Sequence, residues 1–463
     1  MVRRRAVLVV AVSLMAALGA GAGGVGTTDH TMRGAGGARA HAAPATAVHR
    51  TAALAGLRPY FERGPRLVPG VGGTASTLQG YSPAQMWVNY NMYPLYKAGI
   101  NGRGRTIGLV DVYGSPTIRH DLATFDARFD LPAPPSFKII EPAGKVPAFN
   151  AKNLEMQGWA GETTLDVEWA HAMAPGASIV LAVTGVDEVE GTSGVPQIMA
   201  AENYLIRYEH VAVISQSFGA TEETFPSADS LMDLRGVYGE AERHGVTILA
   251  AAGDAGASGQ TTNVNNYYGT PVVSWPASDP LVTAVGGTEL FIDSAGHPTD
   301  PPAVWNAAAA AGGGGVSEFF ARPSWQDGVA STVGSRRGMP DVAMTAYGTV
   351  IYISVPGSPA GFYATAGTSL SSPMFAGIVA VAAQLRNGAL GLINPTLYVL
   401  GAIGAPGLID VTHGNNSVLV PVNGKESLVK GYEAVRGYDL ASGWGTVNGT
   451  ELVQELAGRS IPA

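Results

Sequence analysis

Four stretches of this chain are uninterrupted apolar runs, each closing on a glycine or aspartate: RTIGLVDVYG (105–114), ASIVLAVTG (177–185), VAVISQSFG (211–219) and VTILAAAGD (246–254). A strand with one face in water alternates polar and apolar residues, whereas a strand covered on both faces does not. The runs therefore predict an α/β domain with a mostly parallel central sheet covered by helices. Segments with helical spacing lie between them, among them SLMDLRGVYGEAERHG (230–245). In open α/β sheets a site forms beyond the carboxyl ends of the strands. Asp111, Ser215, Ser217 and Asp254 all fall at such ends.

Composition excludes several functions. Charged residues are 14 % of the chain and the formal net charge is −8, which argues against a nucleic-acid partner. Sparse charge also suits an acidic medium, where fewer carboxylates remain to be protonated. Cysteine is absent, so disulfides, thiol catalysis and thiolate metal sites are excluded. At the N-terminus Arg3, Arg4 and Arg5 precede the apolar run AVLVVAVSLMAALGA (6–20), the layout of a signal peptide. The expectation is a secreted protein with a signal or leader over 1–42, cleaved after Ala22 or Ala42, and an uncleaved anchor as the alternative. Residues 43–79 carry no sustained period and read as a linker or short propeptide, and the organised domain spans 80–463. No later stretch reads as long and apolar enough to span a bilayer. The glycine-rich AAAAAGGGGVSEFF (307–320) reads as a long loop.

Two segments carry chemistry. In GETTLDVEW (161–169), Glu162 and Asp166 are four residues apart, so a helix would stack two like charges on one face. They are either a solvated helix face or a functional pair, since burial without use would be costly. In ATAGTSLSSPMFAGIVAVAAQL (364–385), Ser369 stands at the entrance to an apolar helix whose first turn is expected to hold Pro373. Ser369 there is an N-cap or a nucleophile placed where developing negative charge is stabilised. A nucleophile needs a base. His120 follows Asp111 closely, but IRHDLATFDARF reads as an exposed amphipathic helix, and His171 lies in an apolar setting that suits a structural role.

GETTLDVEWAHAMAPGA, ISQSFG, AAAGDAGASG and AGTSLSSPMFAG, in this order, resemble the sedolisin family of serine-carboxyl peptidases, with supporting likeness in YSPAQM, WPASDPLVTAVGGT, GGGGVSEFFARPSWQ and PDVA. The resemblance covers roughly residues 80–457. It implies a subtilisin-like three-layer fold and a peptidase acting on polypeptides, with Ser369 as nucleophile, Glu162 as base, Asp166 as its partner and Asp254 on the oxyanion side. A glutamate base and a protonated oxyanion aspartate imply activity at roughly pH 3–5, lost above about pH 6. Ser217, Phe218 and Gly219 are implied to line the cleft and to pair with an extended substrate. Some relatives carry tryptophan where Phe218 stands, able to bond an acid at the Asp111 position. Phenylalanine lacks that donor, so a network extended through Asp111 is not expected.

LIDVTHGNN (408–416) and YEAVRGYDLASGWG (432–445) resemble the family's calcium loop. One structural calcium ion is implied, held by the carboxylates of Asp410 and Asp439 and the carbonyls of Val411, Val435 and Gly437. Relatives often have glycine where Val435 stands. A monomer is expected, with no membrane insertion once the signal is removed. Only roughly 60 residues separate the apolar run from GYSPAQM, few for the folded propeptide the family usually carries. Two rivals remain: a neutral-pH peptidase using Asp111 and His120, and a catalytically inactive secreted binding protein with the same fold.

Overall fold

The computed structural model describes residues 60–63, 80–186, 193–263 and 265–462. The expected leader and linker therefore lie outside the described residues, except that Tyr60–Arg63 forms a strand paired antiparallel with Gly361–Ala366.

The central sheet has eight strands: β1 Thr106–Val112, β2 Phe137–Ile140, β3 Ser178–Thr184, β4 Val213–Gln216, β5 Thr247–Ala251, β6 Thr283–Ile292, β7 Pro298–Val304 and β8 Val342–Thr345. Their order is β7-β6-β5-β4-β1-β3-β2, with β8 also paired to β6. Only β7 runs antiparallel. The four apolar runs became β1, β3, β4 and β5, which lie side by side at the centre of this order. Their register brings Asp111 level with Val183, and Val110 level with Gln216. The tips of β1 and β4 therefore open on the same edge.

Five helices cover the sheet around the site: α1 Ile118–Phe129, α2 Leu154–Met173, α3 Val195–Tyr208, α4 Gly236–His244 and α5 Thr368–Arg386. Successive residues of β1 point to opposite faces. Leu109 accordingly joins a core with Leu165 of α2 and Phe375 of α5, while Val110 joins a second core with Ile198 of α3 and Tyr238 of α4. A β-carbon at Gly377 would lie 2.5 Å from that of Met173, so glycine lets α5 cross α2 with almost no space between them.

Several expectations need correction. The segment 230–245 is not one helix: Ala228–Met232 ends before α4 begins, and between them Arg235 turns its guanidinium to the buried Asp279 at 2.7 Å. The glycine-rich loop ends sooner than expected, because Gly315–Ala321 is a strand paired antiparallel with Arg336–Met339. Helix α1 forms as predicted, with Ile118, Leu122 and Phe125 turned inward. Contrary to the sequence expectation, α5 is long and apolar enough to cross a membrane. It serves instead as a core helix, 94 % buried over its apolar window.

Candidate active site

Asn153 caps α2 by accepting from the amides of Glu155 and Met156. From Gly161 to Met173 every residue of that helix is buried. Glu162 and Asp166 are 1 % and 0 % exposed, which removes the solvated-face reading.

Ser217, just beyond β4, donates its hydroxyl to Asp166 Oδ1 at 2.8 Å. Burial, then the charge of Asp111, raises Asp166 well above the usual carboxylate range, against the pull of Ser217. Asp111, 1 % exposed at the tip of β1, stands against Asp166 and the Thr163 hydroxyl. Burial pushes its carboxyl up to about 7. No hydrogen bond of good geometry reaches either oxygen of Asp111 or Oδ2 of Asp166, although the nearby Thr163 hydroxyl pulls the Asp111 carboxyl down. Only a protonated carboxyl can donate, so a proton carried by one of the pair would serve the other. The structure thus brings Asp111 into the acid cluster without an indole at 218, correcting the expectation of a network that stops short of it.

Glu162 is held high by burial first and by the charge of Asp166 second, and the Ser369 hydroxyl beside it pulls the other way. Neither oxygen of Glu162 has a partner at hydrogen-bond geometry. Ser369 is 2 % exposed and occupies the second position of α5. Gly367 enters the helix at φ 132°, a conformation that disfavours any side chain. The helix begins at Thr368, so Pro373 lies in the second turn rather than the first. Its missing N–H would have bonded the carbonyl of Ser369, four residues back. Ser217 Oγ, whose proton goes to Asp166, lies 3.3 Å from that carbonyl.

Asp254, beyond β5, is 4 % exposed. Its Oδ1 accepts from the Thr368 amide at 2.7 Å and the Thr368 hydroxyl at 2.9 Å. Burial pushes this carboxyl up to about 6 while Thr368 pulls it down. Next to it opens a recess lined by Gly253, Gly313, Gly314, Thr221, Val272 and Val273.

The Ser217 and Phe218 side chains both point away from solvent. The serine turns inward to Asp166, and the phenyl ring is 2 % exposed in the core shared with α3. The backbone of Ser217, Phe218 and Gly219 is what remains for an extended peptide. His120 is exposed, its ring edge-on to Tyr352. His171 is fully buried, with Nε2 2.8 Å from the Pro132 carbonyl, the structural role its setting suggested. Sequence reasoning did not single out Thr368. Its position between Gly367 and Ser369 was the available signal.

At the C-terminal loops Asp410 and Asp439 are oxygen donors of the kind a hard cation takes. The Gly437 amide donates to Asp410 and the Val435 amide to Asp439, each at 2.9 Å, so both carboxylates converge on one turn. Val435 keeps a negative φ with its side chain 51 % exposed, so valine needs neither left-handed backbone nor interior space there.

The subtilase family model matches residues 151–396 of this chain. Kumamolisin from Bacillus sp. (strain MN-32) is 30 % identical over 371 residues, covering 78 % of this chain and 61 % of the relative. Sedolisin from Pseudomonas sp. (strain 101) is 29 % identical over 388 residues, covering 82 % and 61 %. This chain thus spans 61 % of the length of each of these two relatives. The solved structure of Pseudomonas sedolisin, a serine-carboxyl proteinase complexed with two molecules of pseudo-iodotyrostatin, superposes with a TM-score of 0.68 at 28 % identity, over 83 % of this chain and 99 % of the other.

Proposed function

This chain belongs to the subtilase family, in its sedolisin branch, and we propose that it is an acid-acting serine-carboxyl peptidase that cleaves polypeptides through an acyl-enzyme. The carrying observation is the placement of Ser369 beside Glu162 at the end of a buried acid chain, Glu162–Asp166–Asp111, with Asp254 anchored to the residue before the serine. Ser369 Oγ attacks the substrate carbonyl as Glu162 takes its proton. Glu162 returns that proton to the leaving amine. Asp166 shares its proton with Asp111 and so stays a neutral or singly charged partner rather than a second full charge. Protonated Asp254 donates to the oxyanion, a task its ionised form would oppose by repulsion. Its pKa of about 6 supports an alkaline limit near that pH. The recess beside Asp254 takes a side chain of the bound peptide in this reading.

Asp410 and Asp439, with the carbonyls of Val411, Val435 and Gly437, hold one structural calcium ion in this reading. The ion ties the C-terminal loops together and takes no part in bond cleavage. The basic, then apolar N-terminus supports secretion. The active species is a monomer.

Peptide hydrolysis measured from pH 2 to 8 tests the mechanism. The wild type and His120→Ala are expected to share a maximum at roughly pH 4, and Glu162→Ala to lose at least about a thousandfold. Activity peaking above pH 7 and lost in His120→Ala would overturn it.

A further inference from the structure

Thr368 stands immediately before the nucleophile and is 1 % exposed. Its hydroxyl sits in a chain with one direction. The Gly253 amide donates to Thr368 Oγ1 at 3.0 Å, and Thr368 Oγ1 lies 2.9 Å from Asp254 Oδ1. An amide N–H can only donate, so the single hydroxyl proton of Thr368 is left to point at Oδ1. The Thr368 amide donates to the same oxygen at 2.7 Å. Oδ1 therefore faces two donors, and a proton placed on it would meet two others. Oδ2 takes part in neither bond.

We propose that Thr368 is a positioning residue that confines the Asp254 proton to Oδ2, so that the carboxyl presents its single O–H to the developing oxyanion. This rests on the assignment of Asp254 to the oxyanion side. The arrangement removes a search: a carboxylic acid free to carry its proton on either oxygen presents the wrong one part of the time. It also sets where activity ends. Two donors at Oδ1 favour the carboxylate and oppose the burial that favours the acid. Glu162 on α2 is the titratable group that senses the charge of Asp254 across the site. Without the Thr368 hydroxyl, the ionised form of Asp254 loses a donor and its pKa rises. The protonated, active form then persists to higher pH, so the alkaline limb moves up.

The experiment is the pH dependence of kcat and kcat/KM for wild type, Thr368→Val, Thr368→Ser and Asp254→Asn. In Thr368→Val the alkaline limb is expected to rise by about one pH unit, the worth of one hydrogen bond to a charged group. Its kcat at the optimum should fall about twofold, the share lost when the proton can sit on either oxygen and far less than the 10²–10³ lost with a whole oxyanion donor. Thr368→Ser should restore both. A fall in rate with the limb unmoved would reduce Thr368 to a packing residue and sink the proposal. Asp254→Asn separates the two levels: if the limb survives there, the assignment of Asp254 itself fails. Should Thr368→Val not fold, an atomic-resolution crystal structure of the wild type at acid pH decides. A Cγ–Oδ2 bond longer than Cγ–Oδ1 supports the proposal, and equal or reversed lengths overturn it.

Discussion

Two buried acid sites of this molecule are treated in opposite ways. Asp341, at the start of β8, is 0 % exposed and meets Arg337, itself 0 % exposed, at 2.6 Å. The Ala284 amide and the Tyr398 hydroxyl complete its shell at 2.8 and 3.0 Å. Burial still raises the Asp341 carboxyl, but the guanidinium and every hydrogen bond around it pull back. In the catalytic cluster the neighbours push the same way as burial: Asp166 on Glu162, and Asp111 on Asp166. Among the described residues no cation forms an ion pair with Glu162, Asp166, Asp111 or Asp254. One site is built to keep a charge inside the protein. The other is built to keep protons there, which holds Asp254 as an acid and makes Glu162, once ionised, a stronger base than a free glutamate.

The sharpest way to break this comparison is to remove the cation. Arg337→Met should destabilise the fold by about 3–5 kcal/mol at pH 7, since it strands a buried carboxylate. The cost should shrink toward pH 4 as Asp341 takes a proton instead. Urea denaturation at the two pH values measures this, and a cost independent of pH would show that Arg337 matters only for packing.

An effect of at least the same size follows from the acid cluster. Carboxyls whose pKa is raised on folding bind more protons in the native state, so their stabilisation is complete below the unfolded pKa and drains away as pH climbs through the folded one. With Asp254 at about 6 and Asp111 at about 7, the loss falls between roughly pH 4 and 7. Wild-type stability should drop by about 1.4 kcal/mol per unit of raised pKa across that window. Asp111→Asn should flatten the drop, and an unchanged slope would show that Asp111 does not share a proton with Asp166.

The smallest effect concerns a third kind of compensation. Asp439 already accepts from the amides of Val435, Ala441 and Ser442, while Asp410 is exposed. Chelation of calcium should lower Tm by a few degrees, about 1 kcal/mol, with Asp410→Ala insensitive to chelator. A melting curve that chelator leaves in place would mean these loops are held by their own hydrogen bonds.

The apolar runs at 105–114, 177–185, 211–219 and 246–254 were enough to predict the sheet, because burial on both faces leaves a continuous signature in one dimension. The pairing of Glu162 with Asp166 was legible for a related reason: helical spacing turns four positions into one face. The placement of Asp111 beside Asp166, the inward turn of Ser217 and the anchoring of Asp254 by Thr368 were not legible. Each joins residues far apart in the chain, and the register of β1, β3 and β4 together with the crossing of α2 and α5 decides which of them meet. Local sequence states what a residue can donate or accept, but only the packed fold decides whether water, a cation or another acid stands opposite, and that choice sets where the protons reside.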